Sequence, residues 1–475
     1  MMKHNRAKIV ATLGPTSGNY DTMLAMVKEG VSVFRINFSH SQHEDAINLI
    51  ETVRKINADH NYNIAILGDL QGPKLRVGVV AEGTVVNKGD TIRFTNTEHV
   101  GNAESVYMNY EQFPSDVKAG NRILLDDGKL VMEVVETNGH DEVVAKVVQG
   151  GELKSRKGVN LPNTKISLPC LTPKDLADLE VALEYELEWI GLSFVRNPDD
   201  VRELRGYIDE KGAPSKIIPK IEKPEAVVAI DEIIEASDAI MVARGDLGVE
   251  VPMQGVPLIQ KTIVKKCHAQ SRPVVIATQM MESMITSMTP TRAEVNDVAN
   301  SVLDGSDAVM LSGETSVGKY PVQVIQAMSK IIQHIEESGL VKVDKENQPV
   351  YRNDRFITDS ICYNASKVAD QIGASAILTM TFSGYTGFKI SAHRPASNIY
   401  VFTANRSILN MMSLVWGVRA FYYDGMSSTD ETFADIKEIV IDHGLVSRGD
   451  LLVKIASMPI QNSGMTNMLK ITEID

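Results

Sequence analysis

Residues 189–246 read WIGLSFVRNPDDVRELRGYIDEKGAPSKIIPKIEKPEAVVAIDEIIEASDAIMVARGD, and their punctuation decides the fold. Trp189–Phe194, Lys216–Ile221 and Ala239–Ala243 are short apolar runs bounded by Gly, Pro or Ser, the pattern of strands buried on both faces. Asp199–Glu210 and Ala226–Ala236, between them, repeat apolar residues with a helical period. Working outward, the unit recurs. Strand-like runs stand at Lys8–Leu13, Val33–Phe38, Ala65–Leu70, Pro273–Thr278 and Ala308–Leu311. Helix-like stretches include Asp21–Glu29, Glu44–Ala58 and Lys174–Leu187. Thr172-Pro173-Lys174-Asp175 reads as an N-cap, a first-turn proline and a capping acid. Gly30, Gly212 and Gly305 stand where helices should stop. Strand–helix alternation of this kind predicts an α/β protein built on a (β/α)8 TIM barrel. A doubly wound open sheet competes, but polar residues at the end of almost every strand favour the barrel.

The regularity breaks once. Val77 to Gly151 carries no convincing helix, and instead shows strand-like Val85–Thr95, Asn121–Leu125 and Leu130–Val148 with turn signals at Asp127-Gly128 and Asn138-Gly139. This predicts an all-β domain inserted after the third strand, above the catalytic face, where it would act as a lid. A polar linker is expected over Val341–Asn353. Beyond it, strands at Ala376–Thr381, Asn398–Phe402, Val418–Tyr422 and Asp450–Ile455 alternate with helices at Phe356–Gln371, Tyr385–Ala392, Ser407–Trp416 and Glu431–His443. The expected division is barrel over 1–72 and 169–340, lid over 73–168, and a C-terminal α/β domain for regulation and assembly over 354–475.

Composition excludes several classes. The chain has 475 residues, 43% hydrophobic and 23% charged, as folded proteins do. Its net charge of −13 and 5% aromatic content disfavour nucleic-acid binding. Cys170, Cys267 and Cys362 form no metal spacing and suggest a reducing compartment. No apolar leader or membrane-length run is seen, so the expectation is a soluble cytoplasmic protein with no membrane partner.

In a barrel the site lies where the strands end. Those ends carry Arg35-Ile36-Asn37-Phe38-Ser39-His40, Asp69 through Arg76, Lys220-Ile221-Glu222, Arg244-Gly245-Asp246, Thr278-Gln279 and Ser312-Gly313-Glu314. Glu222 and Asp246 suit a Mg²⁺ that keeps positions for water and phosphate oxygens. Arg35, Arg76 and Lys220 suit a phosphoryl group. Gly245 opens a helix whose amides suit a substrate carboxylate. Together these describe phosphoryl transfer to or from a small acid. Each charge alone is an ordinary rim ion pair; their convergence is the signal. Thr278 and Ser312 read equally as helix caps, and His40 reads as a structural histidine. Gly313–Lys319 mimics a P-loop, but Tyr320 stands where Ser or Thr is needed. Thr381-Phe382-Ser383-Gly384-Tyr385-Thr386-Gly387 is either a second anion cradle or a plain capped helix start.

The chain resembles pyruvate kinase along essentially its whole length. The motifs are KIVATLGP (8–15), RINFSH (35–40), DLQGPKLR (69–76), KGVNLP (157–162), PKIE (219–222), MVARGDLGVE (241–250), ATQMMESM (277–284) and DAVMLSGET (307–315). The resemblance implies a lidded barrel with a C-terminal α/β domain, usually a homotetramer, which passes the phosphoryl group of phosphoenolpyruvate to ADP, giving ATP and pyruvate. It implies Lys220 as the cation for the phosphoryl group in flight and Glu222 and Asp246 as ligands of Mg²⁺, with Mn²⁺ able to stand in. Arg35 becomes a phosphate clamp, and Asn37, Arg76 and Lys157 become contacts for the ADP/ATP phosphates. Thr278, with Ser312 nearby, becomes part of the proton relay to enolpyruvate, shared with ordered water because a hydroxyl's pKa is too high for a free acid.

Most studied relatives hold K⁺ with residues matching Asn37, Ser39, Asp69 and the carbonyl of Leu70. Here Leu70-Gln71 stand where those enzymes carry Thr-Lys, and Lys74 where they carry an acid, a pattern resembling the K⁺-independent branch. The expectation is that Lys74 replaces the ion and K⁺ is not required. Thr381, Ser383, Gly384 and Thr386 resemble a loop for a sugar-phosphate effector. The later loop Pro459–Thr466 lacks the Trp and Arg that help hold fructose 1,6-bisphosphate in some relatives. Two other readings stay open. A Mg²⁺-dependent barrel lyase or aldolase would not need the lid or Lys157, and a silent ligand sensor would lack one of the catalytic residues that are present here.

Overall fold

The computed structural model describes residues 3–162, 164–341, 354–425, 428–459 and 465–475. The expected linker, apart from Val341, and residues 460–464 of the later loop lie outside them. Eight parallel strands close into a barrel: Lys8–Thr12, Val31–Asn37, Ala65–Asp69, Trp189–Leu192, Lys216–Ile221, Ile240–Ala243, Val274–Ala277 and Ala308–Leu311. The first strand pairs with the eighth, in register Lys8–Ala308 through Ala11–Leu311. That closure excludes the open sheet.

The period of two along each strand sorts the side chains. Ile9, Phe34, Ile66, Ile217, Ile240, Ile276 and Val309 face outward into the core shared with the helices. Val10, Val33, Leu67, Ile218, Met241, Val275 and Ala308 fill the interior. Extending that inner parity toward the strand ends brings Thr12, Arg35, Asp69 and Lys220 onto the mouth. Thr172 and Asp175 form the anticipated reciprocal capping box with Pro173 in the first turn. The stretch Ala226–Ala236, expected as one helix, is two: Pro224–Val228 and Ile230–Ala236.

The insertion after the third strand is built on a six-stranded sheet that includes Arg122–Leu125, Leu130–Thr137, Glu142–Gln149 and Val159–Asn160. The run Val85–Thr95 is broken into Val85–Val86 and Thr91–Thr95, with Gly89 between them at φ +97°. One helical turn, Phe113–Asp116, interrupts a region expected to hold no helix.

The C-terminal sheet runs Val418–Tyr422, Asn398–Thr403, Ala376–Met380, Leu451–Ala456, Met468–Glu473 in spatial order, the last strand antiparallel. That edge strand, MLKITE, was not anticipated; it is partly exposed along its length and has no continuous apolar run. Among the described residues no helix is long and apolar enough to cross a membrane.

This domain plugs the barrel floor. Lys8, at the inward start of the first strand, donates to the carbonyl of Val418 at 2.9 Å. Arg394 is buried 2.9 Å from Asp307 Oδ2 and donates to Gly305 O at 2.7 Å, with its guanidinium over Trp416. Removing one partner of a buried pair leaves the other charge uncompensated. Arg394→Ala is therefore expected to destabilise the folded protein by about 3–5 kcal/mol, read as a clear drop in the thermal unfolding midpoint.

Candidate active site

A buried carboxylate organises the mouth. Asp69 is 1% exposed. Its Oδ2 accepts from Arg35 Nε at 2.7 Å and lies 3.6 Å from Lys220 Nζ. Arg35 also donates to Thr12 Oγ1 at 3.0 Å. Burial pushes the Asp69 carboxyl up, but Lys220 and Arg35 together outweigh it and hold it below its ordinary value. For Lys220, burial favours the neutral amine, yet Asp69 and Glu222 prevail and raise its pKa. The ammonium therefore stays charged at any physiological pH.

Lys220 Nζ also lies 3.0 Å from Glu222 Oε1 and donates to Ser193 Oγ at 2.9 Å, and Ser193 donates to Leu70 O at 2.7 Å. Ser193 was missed in the sequence. It directly follows the fourth strand, and a survey of every strand end would have found it. Glu222 Oε2 accepts the amide of Phe194 at 2.8 Å, an amide turned by a left-handed backbone at φ +56°. Burial first, and then the charge of Asp246, push Glu222 up to about 7, against the pull of Lys220. Glu222 Oε1 is buried and meets the Lys220 ammonium alone, with no further hydrogen-bond donor. Two repelling carboxylates, one with a buried oxygen that meets only an ammonium, fit a divalent cation. Among the described residues no group of three or more His, Cys, Asp and Glu is arranged for a metal, so water and phosphate oxygens would complete its shell.

Thr278 does not cap the helix that follows it. It sits at φ +68° and Gln279 at φ +55°, costly for a β-branched residue. Its Oγ1 donates to Ala277 O at 2.6 Å and accepts the amide of Gly245 at 2.7 Å. A substrate carboxylate would therefore compete with Thr278 for Gly245. Ser312 makes no cap bond either. The Glu314 carboxylate accepts from the amides of Ser312 at 2.7 Å and Met281 at 3.2 Å. The amides from Thr315 to Lys319 are all spent on carbonyls of Ser312, Gly313 and Ile285, which leaves no cradle for phosphate and closes the P-loop reading.

Between lid and barrel lies a cavity of about 240 Å³, lined among others by Lys74, Arg76, Asp126, Lys157, Phe194 and Asp246. Lys157 is 2.9 Å from Asp126. Asn37, on the inner parity, accepts its own loop's Ser39 amide at 3.1 Å. His40 is not the satisfied structural histidine expected. It is exposed, and partial burial first, then Lys74, Arg76 and Arg35, lower its pKa.

In the C-terminal domain, Thr381 Oγ1 accepts the Gly384 amide at 3.0 Å and Thr386 Oγ1 accepts from Thr379 at 3.2 Å. Both threonines are buried, while Phe382 and Ser383 are exposed. Thr381 is thus spent on the helix start and Thr386 on the preceding strand, while the Ser383 hydroxyl stands at the surface.

A mouth of this kind suits passing a phosphoryl group between small anions, and it places the chain among the lidded barrel phosphotransferases. Comparison with known proteins narrows the class. The description "Pyruvate kinase, barrel domain" matches residues 4–325, and "Pyruvate kinase, alpha/beta domain" matches residues 359–472. A pyruvate kinase of Corynebacterium glutamicum is 41% identical, covering 98% of this chain and 97% of that protein. One from Mycobacterium tuberculosis is 39% identical, covering 99% and 98%. A crystal structure of a pyruvate kinase from Cryptosporidium parvum superposes with a TM-score of 0.92 at 33% identity, covering 99% of this chain and 96% of that one. The chain belongs to the pyruvate kinase family, whose reaction moves the phosphoryl group of phosphoenolpyruvate to ADP and gives ATP and pyruvate, the last step of glycolysis.

Removing the central ammonium should be far worse than loosening it. Lys220→Met is expected to lower kcat for pyruvate formation by at least about 100-fold. Ser193→Ala, which removes one of its hydrogen-bond partners, should cost about tenfold.

Proposed function

We propose that this chain runs the family's reaction through the residues gathered at its barrel mouth. The observation that carries the reading is the ammonium of Lys220, held between Asp69, Glu222 and Ser193 at the end of the fifth strand. Arg35 and Lys220 bind the phosphate of phosphoenolpyruvate, with Gly245 and Thr278 at its carboxylate. Glu222 and Asp246 would hold Mg²⁺, or Mn²⁺ in its place, which supplies positive charge against the phosphate oxygens. Lys220 then neutralises the charge that develops as the phosphoryl group moves to ADP. Asn37, Arg76 and Lys157 contact the nucleotide phosphates. When the substrate carboxylate takes the Gly245 amide, one lone pair of Thr278 is released. The hydroxyl can then take a proton from ordered water on that lone pair as it gives its own to the methylene carbon of the enolate, with Ser312 beside it.

We further read the enzyme as independent of K⁺. Three of the four groups expected to hold the ion already accept hydrogen bonds: Asn37 Oδ1 from Ser39, Leu70 O from Ser193 and Asp69 Oδ2 from Arg35. Lys74 lies within electrostatic reach of Lys220 and Asp246, so its charge acts at the mouth. A sugar phosphate at Ser383 and Gly384, a homotetrameric assembly and a cytoplasmic location complete the proposal from the family resemblance.

The test is pyruvate formation from phosphoenolpyruvate and ADP with Mg²⁺, in K⁺-free buffer and again with K⁺. Comparable rates in both support the proposal, and Lys74→Glu should then lower the K⁺-free rate. Turnover only with K⁺ would discard the role of Lys74, and ADP-independent consumption of phosphoenolpyruvate would favour a lyase.

A further inference from the structure

The helix that carries Gly245 and Asp246 is short, Arg244–Glu250, and it is clamped at both ends. At its start Arg244 makes a two-pronged pair with Asp297, at 2.6 and 2.7 Å, and donates to the carbonyl of Thr278 at 2.8 Å. At its end the buried carboxylate of Glu250 accepts from two directions on one oxygen. Lys223 Nζ donates to Oε1 at 2.6 Å, and Asn160 Nδ2 donates to the same atom at 2.8 Å. Lys223 and Glu250 are 7% and 5% exposed. A buried pair of this kind is costly to assemble and costly to break, so its geometry is held firmly.

The partners come from three different places. Lys223 directly follows Glu222 at the end of the fifth strand. Glu250 lies four residues, about one helical turn, beyond Asp246. Asn160 belongs to the lid: its strand, Val159–Asn160, pairs with Leu124–Leu125 of the lid sheet, and the neighbouring Gly158 bridges Arg76. One carboxylate oxygen thus joins the lid's returning hinge strand to both segments that bear the metal-ready carboxylates. A displacement of the hinge strand would be felt at Glu250, and the rigid turn above it would pass that displacement to Asp246, Gly245 and Thr278.

We propose that Glu250 is a positioning residue that, with Lys223 and Asn160, couples the lid hinge to the metal-bearing helix, so that the lid's position sets the placement of Asp246. This rests on Glu222 and Asp246 being the metal ligands, and it adds a determinant that touches neither metal nor substrate.

The test measures Mn²⁺ alone binding to the full-length, unliganded enzyme, by the electron paramagnetic resonance of the free ion. Asn160→Ala removes one hydrogen bond from a half-buried lid residue that lines the same cavity as Asp246 but is not one of the proposed metal ligands. It is expected to weaken Mn²⁺ binding about tenfold, the size usual for partners that orient metal ligands. Lys223→Met should do the same and Lys223→Arg, which keeps the cation, should bind close to the native enzyme. Thermal melts identify folded variants, and Asn160→Ala carries the test if Lys223→Met does not fold. Native Mn²⁺ affinity in folded Asn160→Ala overturns the coupling. Asp246→Asn separates the two layers. Loss of Mn²⁺ in that variant with native affinity in Asn160→Ala refutes only the coupling, whereas native affinity in Asp246→Asn refutes the metal assignment beneath it.

Discussion

A carboxylate buried among cations is the constraint on which the rest of the mouth depends. Asp69 has almost no contact with water, and an isolated charge there would be strongly disfavoured. Arg35 and Lys220 compensate it, and in doing so they lose their freedom to wander. Their charges are therefore fixed in place at the mouth before any substrate arrives. This is electrostatic preorganisation: the cost of ordering the cations is met in folding, not at the moment of reaction. The scaffold makes it dependable because each of the three lies on the inner parity of a barrel strand, and a parity cannot drift in a closed sheet.

The mouth also stores strain. Phe194, Thr278 and Gln279 all lie in the left-handed region, with φ between +55° and +68°. Such residues cost roughly 1–3 kcal/mol each. Phe194 aims an amide at Glu222, and Thr278 meets the amide of Gly245 and the guanidinium of Arg244. The barrel tolerates this at its top because its floor is closed. Apolar residues of the barrel interior and of the C-terminal domain form a single cluster, and Lys8 and Arg394 tie the two domains by buried polar contacts.

Much of this was legible in the residues. The short apolar runs became barrel strands because apolar runs bounded by breakers have few other ways to be buried, and the polar strand ends converged because a barrel brings all its strand ends to one rim. Lys220, Glu222, Arg35 and Asp246 were found on that ground alone. Other features were not legible. Ser193 is a common residue type whose partner, Lys220, lies on the next strand. Thr278 and Ser312 carry capping chemistry in sequence, but neither caps the helix that follows it, and His40 faces cations supplied by the second strand, Arg35, and by the segment after the third, Lys74 and Arg76. The edge strand Met468–Glu473 is fixed by pairing with Leu451–Ala456 and not by a hydrophobic pattern of its own. The network of Asn160, Lys223 and Glu250 spans three segments that no local window contains.

By itself the sequence determined the barrel, the inserted lid, the C-terminal α/β domain, the family and the charged residues of the mouth, because periodicity and motif are properties of neighbours along the chain. Only the tertiary structure decided which charges pair, which hydroxyls are already engaged, and how the lid is tied to the helix bearing Asp246. Those outcomes depend on distances between residues far apart in sequence, and on burial, which sets how strongly each charge is felt.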